Sequence, residues 1–377
     1  GFMTPSVPFA ERWKIIMKKR MMCLMATCLL GVSLLAGCGN SSDAESKDST
    51  SQSQTSGEEG NKTIEKLNVA FVPSKDPDEI ITATEPLKDM LKTELAKEGY
   101  DVGEVDITVG TSYEAVGEAL SAGTADVGLI PGGTYVLYDD GCDVLLTATR
   151  DGLNKDSDNA KDWNDGKPTE KTAEQAVSYR ALIIAGPSEK GQELAEKVNK
   201  GEELTWDDLN SANWSVMNST SPAGYIYPAL WLQDNYGKGI TDLEHTVQSD
   251  SYGSAMARLA SGQIDIVLAY ADVRNDYVDQ WNSEYGRSGS IWDTTETNVI
   301  GVTPAIYNDT VSVSKNSSIM TDDFKEALSN AFINIGNTEE GKEVIAIYSH
   351  TGYKPAQSSD YDNEREAQKL IQELNAQ

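Results

Sequence analysis

The sequence predicts an α/β protein of two lobes, and three observations carry that prediction. Strand-like and helix-like segments alternate along the chain, the grammar of βαβ units with parallel strands. The segments SYEAVGEALSAGTADVGL (112–129) and SYGSAMARLASGQIDIVL (251–268) share one skeleton. Each runs from Ser-Tyr through a leucine (Leu120, Leu259) and a glycine (Gly123, Gly262) to an aspartate (Asp126, Asp265). About 310 residues follow a polar N-terminal stretch, enough for two domains. Two such lobes ordinarily hold a ligand in the cleft between them.

The elements follow in order. MKKRMMCLMATCLLGVSLLAGC (17–38) has a basic start at Lys18, Lys19 and Arg20, then an apolar stretch too short to span a membrane comfortably. It predicts a secretion signal. Its Leu35-Ala36-Gly37-Cys38 ending resembles a bacterial lipobox, which implies a lipidated Cys38 and removal of Cys23 and Cys28. Residues 1–16 precede Met17 and are set aside, so the leader is 1–38. Residues 39–63 hold almost no apolar side chains and predict a disordered tether, extended to 66 where the first strand begins.

LNVAFVP (67–73) has a buried-strand pattern. TEPLKDMLKTELAKEG (84–99) predicts a helix with Leu87, Met90, Leu91 and Leu95 on one face and Gly99 as its stop. VDITVG (105–110) and DVGLI (126–130) predict strands, with a helix over 112–123 between them. Residues 150–175 are rich in Asp, Asn and Lys and predict a long surface insertion. YRALIIAG (179–186) and WSVMNS (214–219) predict strands, and TWDDL (205–209) a short helix. TNVIGVTPAIYNDTVSVSKN (297–316) is strand-like but broken by Pro304 and by Asn308-Asp309, and TDDFKEALSNAFINI (321–335) is an amphipathic helix. The expected division is lobe I over 67–185 and 300–377, and lobe II over 186–299.

Composition excludes several functions. A net charge of −29 argues against nucleic acid and against long-range steering of an anion. Any anion site must work through local dipoles and hydrogen bonds. His245 and His350 lack metal-ligand spacing, and no phosphate-cradling P-loop is present, so neither metal nor cofactor is expected. Cys142 is the one cysteine beyond Cys38, which leaves no internal disulfide and predicts a packed, inert thiol.

NSTSPAGYIYPALWLQ (218–233) carries the sharpest chemistry. Ser or Thr before Pro marks a helix start, yet capping needs one hydroxyl and Ser219, Thr220 and Ser221 supply three. A helix N-terminus carries roughly half a positive charge. Extra hydroxyls there add neutral donors for the oxygens of a tetrahedral anion.

These residues resemble those of the phosphate/phosphite/phosphonate-binding lipoproteins of ABC importers, two-lobed extracytoplasmic receptors of the type II periplasmic-binding fold. The resemblance runs from about Leu67 to the C-terminus. Its most specific motif is Ser219-Thr220-Ser221 with Gly224, Tyr225 and Pro228, although Pro222 and Ala223 stand where the family passes straight to glycine. It implies lobes that are each a mostly parallel sheet flanked by helices. It also implies ligand contact by Tyr113, by Tyr179 at the opening of the hinge strand, and by Thr134 and Tyr135 in an altered Gly-Pro-x-Ser-Tyr turn. A family histidine falls on Tyr252. Two acidic positions that hold the ammonium of aminoalkylphosphonates fall on Asp272 and Asp309. The functional expectation is capture of a phosphonate-type ligand and delivery to a permease with its cytosolic ATPase, from a lipid anchor outside the cytoplasm. The weighed alternatives are a phosphite, phosphate or zwitterion binder feeding a sensor, and a secreted acid–base enzyme. Against the enzyme, no serine or cysteine has a histidine placed to activate it.

Overall fold

The computed structural model describes residues 61–376. The leader, Cys38 and nearly all of the expected tether lie outside the described residues. Strand β1 (Lys62–Phe71) begins inside the stretch whose composition predicts tether. Ile64 and Leu67 face the core there, while the charged residues between them face solvent. This half-buried alternation is too short and too charged to stand out by composition.

A helix, Pro77–Lys97, follows, capped by Asp76 with Pro77 in its first turn. The sequence predicts its start at Thr84, with Pro86 in the first turn, but that proline sits inside the helix. The earlier Asp-Pro pair supplies the true start, since a proline at the first helical position loses no hydrogen bond. Strand β2 (Tyr100–Val109) pairs in parallel with β1. The helix Tyr113–Ala122 leads to β3 (Val127–Ile130), also parallel to β1, and then to a short helix, Gly132–Leu137.

Strand β4 (Cys142–Leu153) turns back through β5 (Lys171–Ala176) to β6 (Ser178–Tyr179), where the chain crosses to the second sheet. That sheet holds β7 (Ala181–Ala185), β8 (Trp214–Val216), β9 (Thr246–Gln248), β10 (Ile266–Tyr270) and β11 (Asn298–Val302), in the order β11-β7-β10-β8-β9. The chain returns through β12 (Ile306–Tyr307), which pairs with β6, and enters the first sheet as β13 (Thr310–Ser314), antiparallel between β3 and β4. Strand β14 (Gly352–Pro355) closes the order β14-β4-β13-β3-β1-β2.

Two expectations change. The lobe boundaries fall at β6 and β12, because β7 and β11 both lie in the second sheet rather than at the edges of lobe I. Each sheet is mixed rather than mostly parallel. Parallel pairing holds for β2-β1-β3 and β10-β8-β9, and the strands next to the crossovers are antiparallel. A strand that arrives from the opposite lobe runs against its neighbours. The predicted breaks at Pro304 and Asn308-Asp309 separate β11, β12 and β13.

The internal echo is structural. Ser112 and Ser251 cap equivalent helices, accepting from the amides of Ala115 (3.0 Å) and Ser254 (3.1 Å). Gly123 and Gly262 take the left-handed conformation (φ 79° and 77°) that an L side chain avoids. Asp126 accepts the Asn68 amide and the Ser317 hydroxyl, and Asp265 accepts the Asn213 amide and the Ser188 hydroxyl. Each aspartate thus pins a neighbouring segment to its strand.

The 150–175 stretch is not a free surface loop. Trp163 within it is 1% exposed and packs into the second lobe with Leu182, Val299 and Trp292. Asn164 next to it bonds both the amide (2.7 Å) and the carbonyl (2.8 Å) of Val299 on the edge strand β11. A side-chain amide thereby occupies a sheet edge that would otherwise invite another strand. The insertion leaves one lobe on the β4–β5 hairpin and docks on the other.

The C-terminal helix, Asp362–Asn375, joins the lobes a second time. Arg365 bonds Asp139 of the first lobe at 2.9 Å, while Ala367 and Leu370 sit in the second lobe's core rather than in lobe I alone. Glu364 accepts the hydroxyl of Tyr227, and burial raises its carboxyl pKa. A raised carboxyl pKa means the folded state holds the proton more tightly. Its stabilising contribution is complete below the unfolded value, about 4.3, and is lost as pH rises through the folded one. Glu364→Gln should therefore match the wild type in melting temperature at low pH and gain on it progressively toward pH 8; parallel thermal melts across pH check this.

Cys142 is buried at the start of β4, and burial pushes its thiol up to about 12, consistent with an inert packed side chain.

Candidate functional site

The Ser-Thr-Ser segment follows β8 and opens the longest helical run of the second lobe. Pro222–Ile226 forms a π turn that continues directly into the helix Tyr227–Tyr236. Pro222 and Ala223, the two residues extra to the family pattern, lie in that widened turn. Gly224 is fixed by packing: a Cβ there would fall 2.4 Å from Met217 Cγ at the end of β8.

The tip's donors are partly spent. The Ser221 hydroxyl accepts from the Gly224 amide (3.1 Å), and the Ser221 carbonyl accepts from Tyr225 and Ile226. Asn218 accepts from both the amide (3.0 Å) and the hydroxyl (2.6 Å) of Thr220. Of the amides that follow the proline, Ala223 alone is left over. The expected row of backbone donors is thus reduced, and the hydroxyls of Ser219 and Ser221 become the main available groups, with that of Thr220 given to Asn218 in this structure. Ser219 and Thr220 are exposed and Ser221 is half-buried.

Tyr252 lies beside the tip, its hydroxyl 3.5 Å from Ser221 Oγ, with its ring edge-on to Tyr270 at 5.0 Å. Tyr179 stands on the crossover. Burial pushes its hydroxyl up to about 12, and it lies within the fields of Arg150, Tyr252 and Asp309. Tyr113, at the first position of its helix, is raised by burial and by Asp309. Asp309, just after β12, meets His350 Nε2 at 2.9 Å, and His350 Nδ1 meets the Tyr353 hydroxyl at 3.1 Å. Ser221 and Tyr252 are thus in contact, and Tyr179, Tyr113 and Asp309 lie within electrostatic reach around the crossover, so that both lobes contribute to this chain of site residues.

Three expected residues stand apart from that chain. Asp272 is buried and its two oxygens take a forked contact from Arg274 (3.0 and 2.8 Å) plus the Thr169 hydroxyl (2.8 Å). A carboxylate so saturated has no capacity left for a ligand ammonium. Tyr135 is 2% exposed and packs edge-on to Tyr361 at 5.4 Å, as part of the joint with the C-terminal helix. Thr134 is buried beside it.

Two groups were missed. Arg150 lies over the Tyr179 ring, 4.1 Å from its centroid. It belongs to a stretch that composition assigns to a polar insertion. His350 meets Asp309 from a distant part of the chain, a pairing that no spacing signals. Among the described residues no cluster of His, Cys, Asp and Glu has metal-binding geometry.

The family model for the periplasmic substrate-binding proteins of phosphonate ABC transporters matches residues 69–361. The chain belongs to this family. Its relatives by structure include Mh-p37 of Mycoplasma hyorhinis, at 13% identity and TM-score 0.54, covering 78% of this chain and 95% of that one. XAC2383 of Xanthomonas citri, solved bound to ATP, matches at 12% identity and TM-score 0.50, covering 83% and 99%. A binding protein component of an ABC phosphonate transporter from Pseudomonas aeruginosa matches at 16% identity and TM-score 0.45, covering 82% and 87%. The first two likenesses establish the two-lobed periplasmic-binding fold. The family consists of transport receptors and not enzymes, which removes the acid–base alternative. Such receptors bind a small ligand outside the cytoplasm and work with a permease and its ATPase. Among the described residues no helix is long and apolar enough to cross a membrane.

Proposed function

We propose that this receptor captures a phosphonate-type ligand between its lobes, with the phosphonate oxygens on the hydroxyls of Ser219, Thr220 and Ser221. The observation that carries this reading is the cluster of hydroxyls at a helix start with Tyr252 alongside, 3.5 Å from Ser221 Oγ. In a closed, dry cleft neutral donors suffice to hold an oxyanion, because hydrogen bonds strengthen at low dielectric. Tyr113 and Tyr179 supply phenolic donors and an aromatic wall from the first lobe and the crossover.

An amino group on the ligand fits Asp309, the expected acid whose carboxylate is not saturated within the protein; it is part-exposed at 40%. The aromatic wall adds cation–π attraction of about 1 kcal/mol. Thr134 and Tyr135 belong to the joint with the C-terminal helix, and Asp272 holds its own loop through Arg274. Cys38 is the proposed lipid anchor that keeps the receptor beside its permease.

Calorimetry against 2-aminoethylphosphonate, methylphosphonate, phosphite and phosphate tests the reading. Asp309→Asn should weaken 2-aminoethylphosphonate about tenfold more than phosphite, in line with loss of one charge-assisted bond. An unchanged ratio removes the ammonium assignment, and absence of binding by every phosphonate removes the function.

A further inference from the structure

Next to the crossover lies a cavity of about 310 Å³, walled by the β4–β5 hairpin, by Tyr179 and by Ala271 of the second lobe. That volume lies at the small end of ordinary ligand pockets. Three cations line it, and two are already neutralised: Lys155 pairs with Asp165 at 2.6 Å, and Arg180 with Asp156 at 2.7 Å. Among the described residues Arg150 has no carboxylate within salt-bridge distance; its guanidinium lies flat on Tyr179 at 4.1 Å. Stacking uses the face of a guanidinium and leaves its edge N–H groups free, in the fork that matches a carboxylate. Of the cavity's three acids, Asp156 is paired with Arg180, Asp151 accepts from the Gln175 amide (2.8 Å), Glu174 is exposed, and none lies within salt-bridge distance of Arg150.

Tyr179 is common to this cavity and to the chain of site residues. One face carries Arg150, and Asp309 is tied to the strand that bears Arg150, its carbonyl accepting the amide of Ala148 (2.7 Å), two residues before Arg150. Building on the phosphonate reading, we propose that the cavity is a second subsite for a carboxylate held by Arg150, so that the ligand is a phosphono amino acid. Its phosphonate goes to the Ser219–Ser221 tip, its ammonium to Asp309 and its carboxylate to Arg150. The three charges of such a molecule then each meet an opposite charge or a donor set.

The test is calorimetry with two probes that differ by one carboxylate, 2-amino-3-phosphonopropanoate and 2-aminoethylphosphonate. The wild type should prefer the carboxylated probe by about tenfold or more, the effect of one fork-shaped charge-assisted contact. In Arg150→Gln the ratio should fall to about one, and in Arg150→Lys, which keeps the charge without the fork, to an intermediate value. A wild type that prefers the shorter probe, or a preference that survives both substitutions, overturns the subsite and leaves the phosphonate site standing. If neither probe nor methylphosphonate binds, the phosphonate reading fails and the subsite with it.

Discussion

Ser221→Ala and Thr220→Val are each expected to weaken phosphonate binding by about 10- to 100-fold, the effect of removing one hydrogen bond to a charged group. The pair is informative because the two side chains differ in what else they do. Ser221 caps the π turn through the Gly224 amide, so its loss should also cost about 1 kcal/mol of stability. Thr220 is exposed and bonds only Asn218, so Thr220→Val should leave the melting temperature nearly unchanged. Calorimetry and thermal melts on both variants separate the effects. An affinity loss in Ser221→Ala alone would mean that the tip matters as a cap and not as an anion cradle.

The second large effect lies far from the tip. Trp163→Ala should destabilise the protein by about 3–5 kcal/mol, the usual cost of deleting a buried indole. A tryptophan on a free surface loop would cost no more than about 0.5 kcal/mol. The expectation rests on its 1% exposure and on the Asn164–Val299 bonds beside it. Denaturant unfolding measures it directly. The consequence for function is mechanical. In addition to the β6 and β12 crossovers, the docked insertion and the C-terminal helix each touch both lobes, so lobe closure must move against four links rather than two.

Much of this architecture was legible in the sequence because local rules and the fold agree. The Ser-Tyr, Gly and Asp skeleton of 112–129 and 251–268 reads as cap, stop and strand anchor, and each residue performs that task. Pro304 and Asn308-Asp309 mark the crossover because proline and turn residues interrupt ladders in any context. The failures share a cause: a partner distant in sequence or a signal diluted by its surroundings. A single tryptophan in a stretch of Asp, Asn and Lys does not change the composition, yet it anchors the stretch. Pro86 looks like a helix start, but Asp76 with Pro77 makes the better one. Asp272 reads as a free acid although Arg274 stands two residues on, because the sequence does not show that both side chains are buried and turned onto each other. Arg150 and Tyr179, and Asp309 and His350, meet only after the lobes are assembled.

The measurement that bears most directly on the central claim is a crystal structure of the folded portion grown with 2-aminoethylphosphonate. The account predicts the phosphonate at the start of the Pro222–Tyr236 helical run, with its oxygens within hydrogen-bond distance of at least two of the Ser219, Thr220 and Ser221 hydroxyls and of Tyr252. A ligand bound elsewhere, with Ser221 still on the Gly224 amide and Thr220 still on Asn218, would contradict it.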